Sequence, residues 1–192
     1  MQYRSKISRK RPETVLRTIR IPRDMDALLQ DDANAKNLPV NTLISSVLRK
    51  YTEWDRLAES YGFICIHEDT LVRLLSAVDD AKIIEIATEL GERSGKEAPL
   101  FWFRDASLEA FLRFLALRTK HTRNSRWDLQ TQANECTVLY SHDLGVKWSV
   151  FVRHFVCAAA KTLTGASPTC ELTERTVLFE FRKEHLDRRL SP

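Results

Sequence analysis

The first 23 residues of this 192-residue chain carry a strong excess of positive charge. They hold eight basic side chains and one acidic one, Glu13, whereas the whole chain has a net charge of +4. The rest of the chain is therefore net negative. A cationic cluster of this kind attracts polyanions. The eight are Arg4, Lys6, Arg9, Lys10, Arg11, Arg17, Arg20 and Arg23.

Residues 15–21 alternate in a way that is typical of a half-buried strand. Ile19 and Ile21 are expected to face the protein interior. The opposite face would hold Leu16, Thr18 and Arg20. A single strand leaves its backbone N–H and C=O groups unpaired, so we expect it to pair with the same strand of a second copy. Such an antiparallel ribbon would fit the DNA major groove, which is about 12 Å wide.

Two amphipathic helices are predicted to follow this strand, because apolar residues recur with helical spacing. Asn37 stands where the first helix needs a left-handed residue to end. The second helix would begin near Val40, and its first N–H groups form an end that binds anions. The two apolar faces are Met25, Leu28, Leu29 and Ala33, and then Leu43, Ile44, Val47, Leu48 and Tyr51.

Residues 18–25 (TIRIPRDM) and 37–44 (NLPVNTLI) resemble the ribbon-helix-helix family of Arc- and MetJ-type repressors. The resemblance covers about residues 14–54 and implies an intertwined homodimer that reads double-stranded DNA. It implies base contacts by Leu16, Thr18 and Arg20. The phosphate contacts expected from the family and from the basic arm involve Arg9, Lys10, Arg11, Arg17, Val40, Asn41 and Thr42.

Two positions depart from the family pattern. Leu16 stands where a polar base-reading residue is usual, and Pro39 stands where Ser or Thr is common. Arg20 is the residue expected to recognise guanine, because its planar fork matches the O6 and N7 atoms together.

The remaining residues predict a second domain with a small sheet covered by helices. Strands are predicted at residues 63–66, 100–103, 136–141 and 176–181. Helices are predicted at 69–78, 80–93 and 146–163, with another capped by Asp105, and a polar loop at 121–132. The fold class is therefore α+β, an N-terminal ribbon-helix-helix module followed by a C-terminal α/β domain. The predicted boundaries are a basic arm at 1–13, the module at 14–61, the second domain at 62–185 and a tail at 186–192.

Catalytic and metal-binding signatures are missing from the sequence. Five glycines form no phosphate-binding loop and no nucleophile elbow, so an enzyme and a bound cofactor are not expected. The four cysteines are scattered and include no Cys-x-x-Cys pair, so we interpret them as reduced core residues. Cys65 and His67 would share one face of a strand, but a closed metal site needs three or four converging ligands. No metal site is predicted.

Two aromatic segments allow alternative interpretations. Trp148, Phe151 and Phe155 recur at helical spacing and belong either to the core or to a pocket for an organic ligand. The basic loop at 120–127, which contains Trp127, is either a solvated loop or a second nucleic-acid contact. Residues 142–149 are also similar to a segment in a group of archaeal regulators. This resemblance implies no known ligand.

These observations favour a sequence-specific transcriptional regulator that acts as a homodimer or a larger oligomer. The C-terminal domain would serve for oligomerisation or for sensing an effector. One alternative is a ligand- or metal-sensing regulator, and another is an antitoxin-like module that binds a second protein. No apolar run approaches the ~18 residues of a membrane span and the basic N-terminus lacks the pattern of a signal peptide, so a cytoplasmic protein is expected.

Overall fold

The computed structural model describes residues 14–122, 125–131 and 135–182. The chain divides into two compact units, Met1–Leu48 and Arg49–Pro192. It is a mixed α+β protein with one four-stranded antiparallel sheet in its described part. Within these ranges no helix is both long and apolar enough to cross a lipid bilayer.

The N-terminal unit contains two helices joined by a tight corner. Helix α1 is Arg23–Ala35, and α2 begins at Val40 and continues to Lys50. Asn37 adopts a left-handed conformation with φ of 52°, which confirms its predicted role. The Leu38 N–H donates to the carbonyl of Ala33 and the Asn37 N–H to that of Asn34, so a Schellman motif closes α1.

The strand predicted at residues 15–21 is not formed in the single chain. Residues 14–22 have no regular secondary structure, and α1 follows them directly. A strand needs a neighbour to take its backbone hydrogen bonds, and within the described part of one chain this segment has no strand beside it.

A helical backbone continues from α2 into the second unit. A π-helical turn, Tyr51–Asp55, is followed by α3, Arg56–Tyr61, and Gly62 ends α3 with φ of 92°. Trp54 and Ala58 are buried in the core of the second unit. The remaining helices of this unit are α4 (Glu68–Ser76), α5 (Asp80–Phe103), α6 (Leu108–His121) and α7 (Val146–Thr164).

The strands of the sheet are β1 (Ser125–Thr131), β2 (Glu135–His142), β3 (Thr169–Leu172) and β4 (Thr176–Arg182). Their order across the sheet is β1-β2-β4-β3. In its register Trp127 pairs with Tyr140, and Val138 pairs with Phe179. Alternate residues of β2 and β4 are buried beneath α6 and α7, which places the hydrophobic core on one face of the sheet.

Helices α5 and α7 pack at very short range. Gly91 and Gly95 lie on the face of α5 that meets α7, and a side chain at Gly95 would place its Cβ 2.8 Å from the Cβ of Ala159. The two glycines therefore allow the two backbones to approach each other.

Several predicted elements are confirmed, including α4, β2, α7 and β4 within about two residues of their predicted ends. Others are wrong. Residues 63–66 form no strand, and residues 100–103 are the last turn of α5 instead of a strand. The predicted polar loop at 121–132 contains β1, and β3 was not predicted.

The start of α6 also differs from the prediction. Ser107, rather than Asp105, is the N-cap, and its Oγ accepts the Ala110 N–H at 3.1 Å. Asp105 supports this cap because its carboxylate accepts from both the N–H and the hydroxyl of Ser107.

Candidate functional site

The predicted base-contacting side chains lie in the irregular segment of residues 14–22. Leu16, Thr18 and Arg20 are exposed, and 91% of Leu16 is accessible. On the face predicted to be interior, Ile19 is 65% accessible and Ile21 is half-buried. Both faces of the segment are therefore accessible in the single chain.

The helices of the N-terminal unit expose much of their apolar faces. Leu28 of α1 is 71% accessible and Val47 of α2 is 54% accessible. In the described part of this unit, residues 14–48, the buried side chains are those of Ala33 and Leu43. One copy of the unit therefore buries almost no hydrophobic core.

Three arginines at the start of the described chain are available to an anion. Arg17, Arg20 and Arg23 are exposed, and none forms an ion pair with another residue of the described part. The predicted phosphate contacts Arg9, Lys10 and Arg11 lie outside the described residues.

The N-terminus of α2 holds the other predicted phosphate contacts. Val40 and Asn41 are its first two residues, so their N–H groups find no acceptor within the helix itself. The Thr42 N–H donates to the carbonyl of Pro39 at 2.9 Å, which leaves the hydroxyl as the group that Thr42 can offer. Asn41 and Thr42 are exposed, and Val40 is half-buried.

A second candidate site is a cavity of about 340 Å³ inside the C-terminal unit. Trp148, Phe151 and Phe155 of α7 line it and also pack against the hydrophobic core. Their rings form a ladder, with 5.0 Å between the centroids of Trp148 and Phe151 and 6.0 Å between those of Phe151 and Phe155. The same three residues therefore pack against the core and line a cavity.

Arg118 of α6 lines the same cavity, and sequence reasoning missed it. Its side chain is half-buried, and desolvation lowers the pKa of its guanidinium. The signal in the sequence is its spacing, because Arg118 follows Phe111 and Leu115 at i+7 and i+3 on the buried face of α6.

His121 stands beside this cavity with Glu53 as its neighbour. Its Nε2 lies 3.4 Å from a carboxylate oxygen of Glu53, and Lys120 donates to the same oxygen at 2.6 Å. Burial lowers the pKa of His121, and the Glu53 carboxylate opposes this effect. His121 is therefore expected to be neutral near pH 7.

Metal ligands do not gather in the described ranges, where no three His, Cys, Asp or Glu side chains form a group that could hold an ion. Cys65 is exposed and lines the cavity, and His67 caps α4 by accepting the Asp69 N–H at 3.3 Å.

The chain matches no protein-family model, no curated protein and no solved structure. Its two candidate sites are the exposed N-terminal unit and the cavity of the C-terminal unit.

Proposed function

We propose that this protein is a homodimeric, sequence-specific DNA-binding regulator that reads the major groove with a two-stranded β-ribbon. The observation that carries the proposal is the exposure of apolar side chains on both helices of the N-terminal unit and on the segment before them. Those side chains include Val15, Ile19, Leu28, Val47 and Leu48, each at least half accessible.

A unit of this size is not expected to be stable with so few buried side chains. Two short helices gain most of their stability from packing an apolar face, and full burial of one Leu or Val contributes about 1.5–3 kcal/mol. A second copy offers the same faces, and a two-fold axis brings them together in a self-complementary interface.

The extended segment fits the same dimer. Pairing residues 15–21 with their counterpart would satisfy backbone groups that one chain leaves without a neighbouring strand. Ile19 and Ile21 would then turn towards the helices. The ribbon's outer face would present Leu16, Thr18 and Arg20 to base edges, with Leu16 suited to a thymine methyl group and Arg20 to guanine.

Phosphate contacts would flank this ribbon. The amides of Val40 and Asn41, with the Thr42 hydroxyl, lie at a helix N-terminus, where the helix dipole favours an anion. Arg17, near the start of the strand, would reach back to the phosphates of the DNA backbone. The arm containing Arg9, Lys10 and Arg11 would add contacts that do not depend on base sequence.

Two experiments test the proposal: measurement of the mass of the oligomer, and selection of the DNA sequences that the protein binds. Sedimentation equilibrium at micromolar concentration should give a dimer or a multiple of it, and selection from random duplexes should enrich a motif with two-fold symmetry. A monomer at that concentration, or a selected pool without a shared motif, would contradict the proposal.

A further inference from the structure

The cavity of the C-terminal unit has the size and the walls of a small-molecule site. Its volume of about 340 Å³ lies in the range of ligand pockets. The Trp148, Phe151 and Phe155 ladder forms one wall, with ring planes 8° and 12° apart. Trp127 and Tyr140 add a second aromatic surface, with 5.9 Å between their centroids. A flat apolar group is the natural occupant of such a space.

A cation without an acidic partner lies in these walls. Arg118 forms no ion pair within the described part of the chain, and its nearest π contact is weak, with Cζ 5.8 Å from the centroid of Phe63. Glu68, which also lines the cavity, is itself engaged in an interaction. Burying a guanidinium is costly unless an anion and hydrogen-bond acceptors accompany it.

Two further hydrogen-bond donors belong to residues that line the cavity, Trp127 and Tyr140. The Nε1 of Trp127 is fully buried and has no acceptor in the described part of the chain. The Tyr140 oxygen accepts from Trp148 Nε1 at 3.0 Å, so the Tyr140 hydroxyl retains its own proton to donate. Arg118, Trp127 and Tyr140 thus offer three hydrogen-bond donors, and the guanidinium of Arg118 is the cationic one.

We propose that this cavity binds a small organic carboxylate with a planar, apolar body. The carboxylate would pair with Arg118, whose parallel N–H groups match its two oxygens. The ring would lie against the α7 aromatic ladder. One cation balances one negative charge, which favours a carboxylate over a doubly charged phosphate.

This inference goes beyond the proposed function and does not depend on it. The ligand would bind the C-terminal unit whether or not the N-terminal unit binds DNA. Binding is therefore measured on the full chain without DNA, so that failure of either proposal is recognised separately.

The primary test is calorimetric titration of the full chain with benzoate, phenylacetate and indole-3-acetate. At least one should bind, and its uncharged amide, such as phenylacetamide for phenylacetate, should bind at least about tenfold more weakly, because a hydrogen bond to a charged group is worth more than a neutral one. The amide has nearly the same shape, so this comparison isolates the charge without altering the protein.

Variants assign the charge to one residue. Arg118→Met should weaken carboxylate binding by roughly 10- to 100-fold. The matched control is Arg113→Met on the same helix, an exposed arginine whose Cζ lies 4.3 Å from the Phe103 ring and which does not line this cavity. Trp127→Phe keeps an aromatic ring but removes the N–H, and should weaken binding by a smaller factor. Circular dichroism checks that each variant is folded.

Cys65 supplies a second measurement, because it is exposed and lines the cavity. The bound carboxylate should slow its reaction with a thiol reagent, and the amide should not at equal concentration. Absence of binding by all three carboxylates up to about 10 mM would overturn the proposal. Equal affinity for acid and amide, or unchanged affinity in a folded Arg118→Met variant, would also overturn it.

Discussion

The Nε2 of His142 lies 2.9 Å from the Oγ of Ser149. The Leu144 N–H donates to Nδ1 of the same ring at 3.1 Å, so Nδ1 carries the lone pair and Nε2 the proton. The Ser149 hydroxyl in turn donates to the carbonyl of Glu174 at 3.3 Å. A neutral His142 thus connects β2, α7 and the turn that precedes β4.

Acidification should destabilise this arrangement. Burial lowers the pKa of His142 from its usual 6.5, and Asp143 opposes this effect. The unfolded chain therefore takes up the proton first, so the stabilisation is present above pH 6.5 and is lost as the pH falls below it. Burial lowers the pKa values of His121 and His154 in the same direction. The free energy of unfolding in urea should be smaller at about pH 5 than at about pH 7.

The His142→Asn variant separates this residue from the other titrating groups. It should be less stable than the wild type at neutral pH, since it disturbs a buried hydrogen-bonded chain. Its stability should also fall less between the two pH values, because the titrating ring is gone. An identical fall in both proteins would show that His142 does not contribute.

Gly95→Ala should destabilise the C-terminal unit, although alanine is the better helix former. The new methyl group would lie 2.8 Å from the Cβ of Ala159, which forces α5 and α7 apart. Overpacking of this kind costs about 1–3 kcal/mol, against a gain of about 1 kcal/mol in helix propensity. Lys96→Ala, at the exposed neighbouring position, should change stability by less than about 0.5 kcal/mol. Unfolding in denaturant measures the stability of each variant. A Gly95→Ala variant as stable as the wild type would contradict the close packing.

Charge on the exposed apolar faces should dissociate the proposed dimer. Leu28→Glu and Val47→Glu each place a carboxylate where the second copy would pack, and should weaken dimerisation at least about tenfold. Gln30→Glu adds the same charge to α1 at an exposed position off the apolar face and should leave the dimer intact. Sedimentation equilibrium measures the outcome. If all three variants behave alike, these faces do not form the interface.

The arginines of the N-terminal unit should divide into two roles. Arg20→Ala should lower the affinity for the selected sequence by about 1–3 kcal/mol and leave non-specific binding nearly unchanged. Arg23→Ala, at the first residue of α1, should not alter base preference. Fluorescence anisotropy with specific and random duplexes compares these variants.

Neutralising Arg9, Lys10 and Arg11 together should instead weaken binding to every duplex. The salt dependence should become shallower by about one unit for each lost phosphate contact. An equal, sequence-independent loss from Arg20→Ala and from the triple variant would contradict the division of roles.

Sequence periodicity located the elements with a strong apolar pattern, such as α7 and β2. It failed for β1 and β3, the two edge strands, because neither contains a fully buried residue and β3 is only four residues long. The apolar run at 100–103 was predicted as a strand because a short run fits either structure. Its place at the end of α5 lets Trp102 stack on Trp54, with 5.3 Å between the ring centroids, a contact that no local pattern contains.

The two candidate sites also differ in how far the sequence predicts them. The proposed N-terminal reading face follows from local spacing, although its strand would require a partner that one chain does not supply. The role of Arg118 could not be predicted from the sequence. An arginine near Lys120 and His121 in the last turn of a helix usually only complements the helix dipole. Its burial beside unpaired donors arises only when α6, α7 and the sheet come together.

The division into two compact units gives the second unit an optical signal of its own. All four tryptophans (Trp54, Trp102, Trp127 and Trp148) follow Leu48, and the first 48 residues contain a single aromatic side chain, Tyr3. Indole emission therefore reports melting of the second unit alone, whereas far-ultraviolet ellipticity also follows α1. The two melting curves would coincide for a single cooperative transition and separate if the units melt one after the other.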